Sequence, residues 1–266
     1  MPELPEVETA RAVIERAALK RRIVAVDDTD SYVCRPHPPG QIRDALLGTE
    51  LTEAHRRGKT MWCDTATGPV LGLHLGMSGK IVVTEADGTE VDGGDYWAYG
   101  RTNGEHRFCR FSLTFADGGV LRLLDPRRLA RVRLDPNVDD LGPDAATITA
   151  ARFARAVGAG RAPVKARLLD QHALAGVGNL LADDVLWRAG VNPARPVDAL
   201  TDADRRRLHR ALRAAIDEAV RDGGVHTLPL VPERRPGGQC PRDHTILVHA
   251  TVGGRTTYWC PKHQAG

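Results

Sequence analysis

The sequence predicts an α+β protein of two domains: an N-terminal helix with a β-sandwich, then a helical domain that ends in a β-hairpin. Three observations predict it. Apolar residues recur at helical spacing close to the N-terminus, short β-prone runs crowd the stretch from 23 to 134, and beyond about 136 the period becomes helical again.

Taken in order, the first element covers 3–20, where Val7, Ala10, Val13, Ile14 and Ala17 share one helical face and acidic residues fill the first turn. Short runs at 23–26, 60–63, 70–74, 81–84, 108–115 and 120–124 follow, separated by Asp87-Gly88, Asp92-Gly93-Gly94 and Asp117-Gly118-Gly119, which read as turns. Many short strands at close spacing imply a sandwich or barrel. Helices are expected at 150–157, 164–170, 180–187 and 202–221, with glycine turns at 158–160 and 176–178. The tail returns to β signals at 245–252 and 255–259, joined by Gly253-Gly254 as in a hairpin. The expected divisions are 1–135 for the β domain, 136–228 for the helical domain and 229–266 for the hairpin tail.

Composition narrows the class. No apolar run approaches the roughly 18 residues of a spanning helix, and no basic-then-apolar leader opens the chain, so a soluble cytoplasmic protein is expected. Net charge is only +3, yet its distribution is uneven: 1–150 hold 19 basic against 23 acidic residues, and 151–266 hold 18 against 11. A basic second half suits a polyanion, although it also suits a solvated basic face. Cys34, Cys63 and Cys109 are scattered as small apolar residues are, and five cysteines so placed are not a disulfide framework.

The opening Met-Pro-Glu-Leu-Pro-Glu-Val-Glu carries chemistry. A small second residue permits removal of Met1, which leaves the secondary amine of Pro2 as the terminus. An α-amino group with a pKa of about 8 is partly neutral near pH 7, and its attack on a sugar aldehyde carbon gives an iminium that accepts electrons. Glu3 beside it is placed to shuttle protons. The plainer reading is that Pro and Glu only start a helix, where both are favoured.

Five blocks then occur in a familiar order: Met1 to Thr9, Arg57-Gly58-Lys59, His74-Leu75-Gly76-Met77-Ser78-Gly79, Asp125-Pro126-Arg127-Arg128 and Gly176-Val177-Gly178-Asn179. With them the chain resembles the formamidopyrimidine-DNA glycosylase / endonuclease VIII family over nearly its whole length. That resemblance implies a helix–two-turn–helix in the second domain, a zinc-finger-like hairpin, and a monomer acting on double-stranded DNA that contains a damaged base or an abasic site. It implies Pro2 as nucleophile, Glu3 as proton shuttle, Lys59 for proton transfer and phosphate, and Arg255 at the hairpin tip for the lesion phosphates and a second elimination. Lys59 is one of only five lysines among 37 basic residues. Met77 and Arg127 match the wedge and the residue facing the orphaned base, which a flipped nucleotide requires. Leu129 stands where a third wedge is commonly phenylalanine, and Ala130 replaces the usual glycine. Asn179 with its helix start, and Arg161 and Lys165 upstream, are expected on phosphates.

The tail departs from the pattern. Where the family usually presents two C-x-x-C pairs, this chain has Cys240-Pro-Arg-Asp243-His244 and Cys260-Pro-Lys-His263. Spacing favours Asp243 as the second ligand, whereas ligand chemistry favours a second imidazole. The expected set is therefore Cys240, His244, Cys260 and His263 on one structural zinc, against a hairpin that keeps its shape by packing alone. Residues 225–239 form a brief, proline-crowded connection, shorter than the loop with which some family members cap 8-oxoguanine.

The expected activity is that of a bifunctional glycosylase and abasic-site lyase working through β- and δ-elimination. Its rival is a noncatalytic DNA-damage-binding module of the same architecture, which would not require an N-terminal amine. A metal-dependent nuclease is disfavoured because no carboxylate cluster suited to two magnesium ions stands out.

Overall fold

The computed structural model describes residues 2–95, 106–158 and 160–265. The chain divides into two compact units, Met1–Pro2 with Glu6–Val138, and Glu3–Pro5 with Asp139–Gly266. Among the described residues no helix is long and apolar enough to cross a membrane.

The first unit is a sandwich of two antiparallel sheets. Helix α1 (Leu4–Ala17) leads into β1 (Ile23–Asp27), α2 (Gln41–Leu46), β2 (Leu51–Arg57), β3 (Thr60–Thr65), β4 (Leu71–His74), β5 (Lys80–Thr84), β6 (Glu90–Gly94), β7 (Cys109–Phe115), β8 (Val120–Leu124) and β9 (Arg131–Leu134). One sheet runs β1-β7-β8-β5-β6, the other β2-β3-β4-β9. Alternation decides which face is inward: on β9 Val132 is buried while Arg131 and Arg133 face outward, and on β3 Met61 and Cys63 are buried. Val7, Ala10 and Ile14 of α1 join Ile81, Phe111 and Leu123 of one sheet and Met61, Leu73 and Val132 of the other in a single core. Truncating Phe111 to Ala there would cost about 3–5 kcal/mol.

Four elements differ from the sequence reading. Helix α2 follows prolines 38 and 39 and spans only six residues, and β2 is largely polar because its outer face meets solvent. Asp92-Gly93-Gly94 is not a turn but the end of β6, since a Cβ on Gly93 would lie 2.4 Å from the Thr9 carbonyl oxygen of α1. This glycine serves close packing. Strand β9 is too short and too arginine-rich to show alternation.

In the second unit, α3 (Ala150–Val157), α4 (Val164–Leu169), α5 (Asn179–Ala189) and α6 (Asp202–Asp222) gather Phe153, Leu168, Leu181, Val185, Leu212 and Ile216, and Leu4 joins that core. Helix α6 is fixed at its start by a reciprocal cap, in which the Asp204 N–H donates to Thr201 Oγ1 and the Thr201 N–H to Asp204 Oδ2. The tail forms a hairpin of β10 (Val248–Val252) and β11 (Arg255–Trp259). Gly253 and Gly254 both have positive φ, 60° and 72°, as a tight two-residue turn demands. Trp187, Leu230, Cys240, Leu247 and Cys260 form a small cluster beneath it.

Candidate functional site

The start of the chain is anchored by its third residue. Glu3 is 1% exposed, and its carboxylate accepts the N–H groups of Gly178 (2.9 Å), Leu180 (2.9 Å) and Leu181 (3.1 Å) at the start of α5. A helix N-terminus is suited to an anion, since its first N–H groups lack partners and its dipole is positive there. Leu4 N–H adds a bond to the Gly176 carbonyl at 3.2 Å. Gly178 is obligatory, because a Cβ there would lie 2.2 Å from Glu3 Cδ. These donors were expected on phosphate, and the structure gives them to Glu3 instead. Pro2, immediately ahead, is buried.

Lys59 sits at the β2–β3 turn after Gly58, whose φ is +61°. Its neighbour Arg56 is fixed by Glu8 (2.7 Å) and the Gly58 carbonyl (3.1 Å). Burial, and then the charges of Lys59, Arg131 and Arg133, lower the pKa of His74 and favour neutral imidazole. Its Nδ1 accepts the Gly76 N–H at 3.0 Å.

Met77, Arg127 and Leu129 lie in two loops that one carboxylate ties together. Buried Asp125 accepts the Ser78 hydroxyl (2.7 Å) and the Arg127 N–H (3.1 Å) on Oδ1, and the N–H groups of Leu129 (2.6 Å) and Ala130 (2.7 Å) on Oδ2. Gly76, at φ +60°, lets the loops touch, for a Cβ there would lie 2.4 Å from the Leu129 carbonyl carbon. Met77 is left 38% exposed, a large apolar side chain presented to solvent, beside exposed Arg127 and half-buried Leu129. In the sequence Asp125 shows only as part of Asp125-Pro126-Arg127-Arg128, with nothing local to mark this task. An Asp before Pro is a turn signal, and its side chain commonly takes N–H groups two residues on.

Arg255 is exposed at the start of β11, and the turn preceding it packs on α4, where a Cβ on Gly253 would lie 2.9 Å from Ala166 Cα. Lys165 is not an exposed phosphate contact as expected. It is fully buried, ion-paired with Asp183 at 2.6 Å and donating to Thr257 Oγ1 at 2.6 Å. Asp183 also receives Arg234 Nε (2.8 Å) and the Tyr258 N–H (3.1 Å), so the ion pair fastens β11 to α5. A buried ammonium requires such a partner, which explains why an otherwise ordinary lysine points inward. Asn179 opens α5 and donates to the Thr256 carbonyl at 3.2 Å, whereas Arg161 is 95% exposed.

The metal-ligand set expected from ligand chemistry needs correcting. Side-chain donors of Cys240, Asp243, Cys260 and His263 all lie within 4.8 Å of one another, and His244 is not among them. Each ligand pair has the same x-x spacing, which returns the fourth residue toward its cysteine; His244, one step further, is left-handed (φ +58°) and exposed. The surroundings fit a cation. Trp187 Nε1 donates to Cys240 Sγ at 3.4 Å, and His263 Nε2 donates to the Trp187 carbonyl at 3.0 Å, which leaves the Nδ1 lone pair toward the cluster. The Thr245 N–H holds the Asp243 carboxyl down at about 2, so it is an anion at neutral pH.

Residues 1–132 match the formamidopyrimidine-DNA glycosylase N-terminal domain, and 141–228 match the formamidopyrimidine-DNA glycosylase H2TH domain. A formamidopyrimidine-DNA glycosylase of Salinispora arenicola is 34% identical over 99% of this chain and 96% of its own. The chain belongs to the formamidopyrimidine-DNA glycosylase family. An Arabidopsis thaliana member is 31% identical over 99% of this chain and 71% of its own. Among solved structures of the family, Lactococcus lactis Fpg bound to DNA containing an oxidized pyrimidine superposes with a TM-score of 0.80 at 25% identity, covering 100% of both chains. A mutant of that protein in complex with Fapy-dG DNA gives 0.82 at 24%, again over 100% of both.

Proposed function

We propose that this chain is a bifunctional DNA glycosylase and abasic-site lyase of base excision repair, with the Pro2 amine as its nucleophile. The Glu3 anchor carries the reading: the N–H groups of Gly178, Leu180 and Leu181 at the start of α5 fix the carboxylate directly behind Pro2, an arrangement that a helix start alone does not need. The amine lone pair attacks C1′ of the flipped nucleotide. The glycosidic bond breaks, its electron pair leaves with the base, and the base takes up a proton. Ring opening gives an iminium that withdraws electrons, so loss of a C2′ proton expels the 3′ phosphate, and a second elimination expels the 5′ phosphate. Water then releases Pro2. Glu3 moves protons at the sugar, Lys59 holds phosphate and assists that transfer, and Arg255 takes the phosphates of the lesion nucleotide. Met77, Arg127 and Leu129 fill the gap and offset a flipping cost of about a few kcal/mol. Asn179 and Arg161 hold further backbone without reading sequence.

Cys240, Asp243, Cys260 and His263 hold one structural zinc, which closes the tail beneath the hairpin that carries Arg255. Substrate choice departs from members that cap 8-oxoguanine with a long loop, because 225–239 is short and Leu129 replaces the common phenylalanine. The protein works in the cytoplasm as a monomer on duplex DNA. Borohydride should trap processed protein on abasic DNA; absence of an adduct, or equal trapping by protein that retains Met1, overturns the amine mechanism.

A further inference from the structure

Beside the wedge loops lies a cationic face that no step above uses. The exposed Tyr32 ring has the Arg35 guanidinium 4.0 Å from its centroid, Arg131 at 5.1 Å and Arg128 at 5.7 Å. Asp30 neutralises Arg128 through two bonds of 2.9 and 2.8 Å. Arg35, Arg131 and Arg133 have no carboxylate within ion-pair distance among the described residues. Arg131 and Arg133 project from the same side of β9, in register with His74 and Gly72 of β4. Together with His37 and Thr60 they line a cavity of about 480 Å³, whose one acidic lining residue, Asp135, accepts the Val70 N–H.

Three guanidinium groups on one face raise the local positive potential, and Arg131 and Arg133, after burial and Lys59, add to the lowering of the His74 pKa. The face is also rigid. Val132 N–H donates to the Val33 carbonyl (3.1 Å) and Leu134 N–H to His37 Nε2 (3.1 Å), so the loop bearing Tyr32 and Arg35 is stitched to β9. Arg131 follows Arg128 by three positions and Arg127 by four, so this face adjoins the loop that carries Arg127 and Leu129.

We propose that Arg35, Arg131 and Arg133 form a second phosphate subsite, which takes the DNA backbone flanking the lesion nucleotide, with Tyr32 as the positioning residue that holds Arg35 and Arg131. This rests on the DNA reading above and adds a place where the duplex is gripped outside the reacting sugar. Each phosphate neutralised contributes a slope of about −0.9 to the dependence of log affinity on log salt. Replacing Arg131 and Arg133 by Ala therefore removes about 1.8 from the slope, and the affinity gap to the parent shrinks about 12-fold between 50 and 200 mM salt.

Fluorescence anisotropy with a duplex carrying a tetrahydrofuran abasic analogue reads this directly. Arg131→Lys/Arg133→Lys should restore the slope, and Tyr32→Phe should keep it where Tyr32→Ala lowers it. Arg43→Ala, which removes an exposed arginine already paired with Asp44, serves as a control whose slope stays at the parent value. On a duplex trimmed to the lesion nucleotide and its nearest neighbours, the alanine pair should match the parent. Parallel salt lines for the parent and the alanine pair on the long duplex would overturn the subsite, as would an equal slope loss on the trimmed one. Borohydride trapping by the parent separates the cases: an adduct with parallel salt lines sinks only the subsite, whereas no adduct sinks the enzyme reading on which it rests.

Discussion

Replacing Asp125 by Asn tests whether one carboxylate positions both loops that carry Met77, Arg127 and Leu129. The two side chains have the same shape, so the change exchanges one acceptor oxygen for a donor. The least costly orientation places the new NH2 at Oδ1, where the Ser78 hydroxyl can turn to accept it and only the Arg127 N–H loses its partner. An orphaned donor costs about 1–3 kcal/mol, and the low end applies here because Arg127 is exposed. The three remaining bonds lose the assistance of a full charge, about 1 kcal/mol each, for a total near 4 kcal/mol. Urea unfolding should show a midpoint lower by about 2 M if the slope is about 2 kcal/mol per molar. The functional effect should be selective. If misplaced wedges forfeit about 2 kcal/mol of support for the flipped state, excision of a paired damaged base slows about 30-fold. Cleavage at a preformed abasic site, which flips at little cost, should slow much less. An Asn variant that unfolds within about 0.5 kcal/mol of the parent and excises the base at the parent rate would refute the assignment.

Asp183→Asn, which strands buried Lys165 and Arg234, should cost about 3–5 kcal/mol in urea unfolding, whereas Lys165→Met/Asp183→Leu/Arg234→Leu should cost much less because no charge is left behind; equal losses would deny the ion pairs this role. Purified protein should contain about one zinc, with Asp243→Ala lowering the content by elemental analysis and His244→Ala leaving it; the reverse result would restore the imidazole as ligand. Gly178→Ala should abolish borohydride trapping while the α6 helical signal persists, since the added methyl collides with the Glu3 carboxylate; undiminished trapping would show that the anchor is dispensable. Burial, with nearby carboxylates adding, pushes the thiols of Cys34 and Cys63 up to about 12, against 9 when exposed. The folded state therefore keeps its protons longer: the stabilisation is complete below pH 9 and is lost as pH rises from 9 to 12, about 1.4 kcal/mol per thiol by pH 10. Stability against pH should flatten in Cys34→Ala/Cys63→Ala, and an unchanged slope would contradict the burial.

The elements that bury one clear face were legible in the sequence. The α1 stripe of Val7, Ala10 and Ile14, the alternation in β7, and the glycine pair of the hairpin each state a local rule that tertiary structure then obeys. What escaped depends on partners distant in sequence. Gly93 looks like a turn until Thr9 is laid against it, Lys165 looks like a phosphate ligand until Asp183 and Arg234 close around it, and the α5 N-terminus looks free until Glu3 arrives. At the Cys240, Asp243, Cys260 and His263 cluster, spacing matches the convergence of donors better than donor preference does, because backbone geometry decides which side chain reaches the centre before its affinity matters.

The bond between Glu3 and Gly178 spans 175 positions, and so it sets an order of assembly. A chain leaving the ribosome at about 5–20 residues per second carries its terminus loose until α5 has followed it out. Closing so large a loop is entropically slow to occur but, growing only with the logarithm of length, cheap to maintain once formed. A half-made chain thus has a mobile amine with no carboxylate fixed behind it, and the chemistry that cuts DNA becomes possible only after synthesis has passed the residues that anchor it.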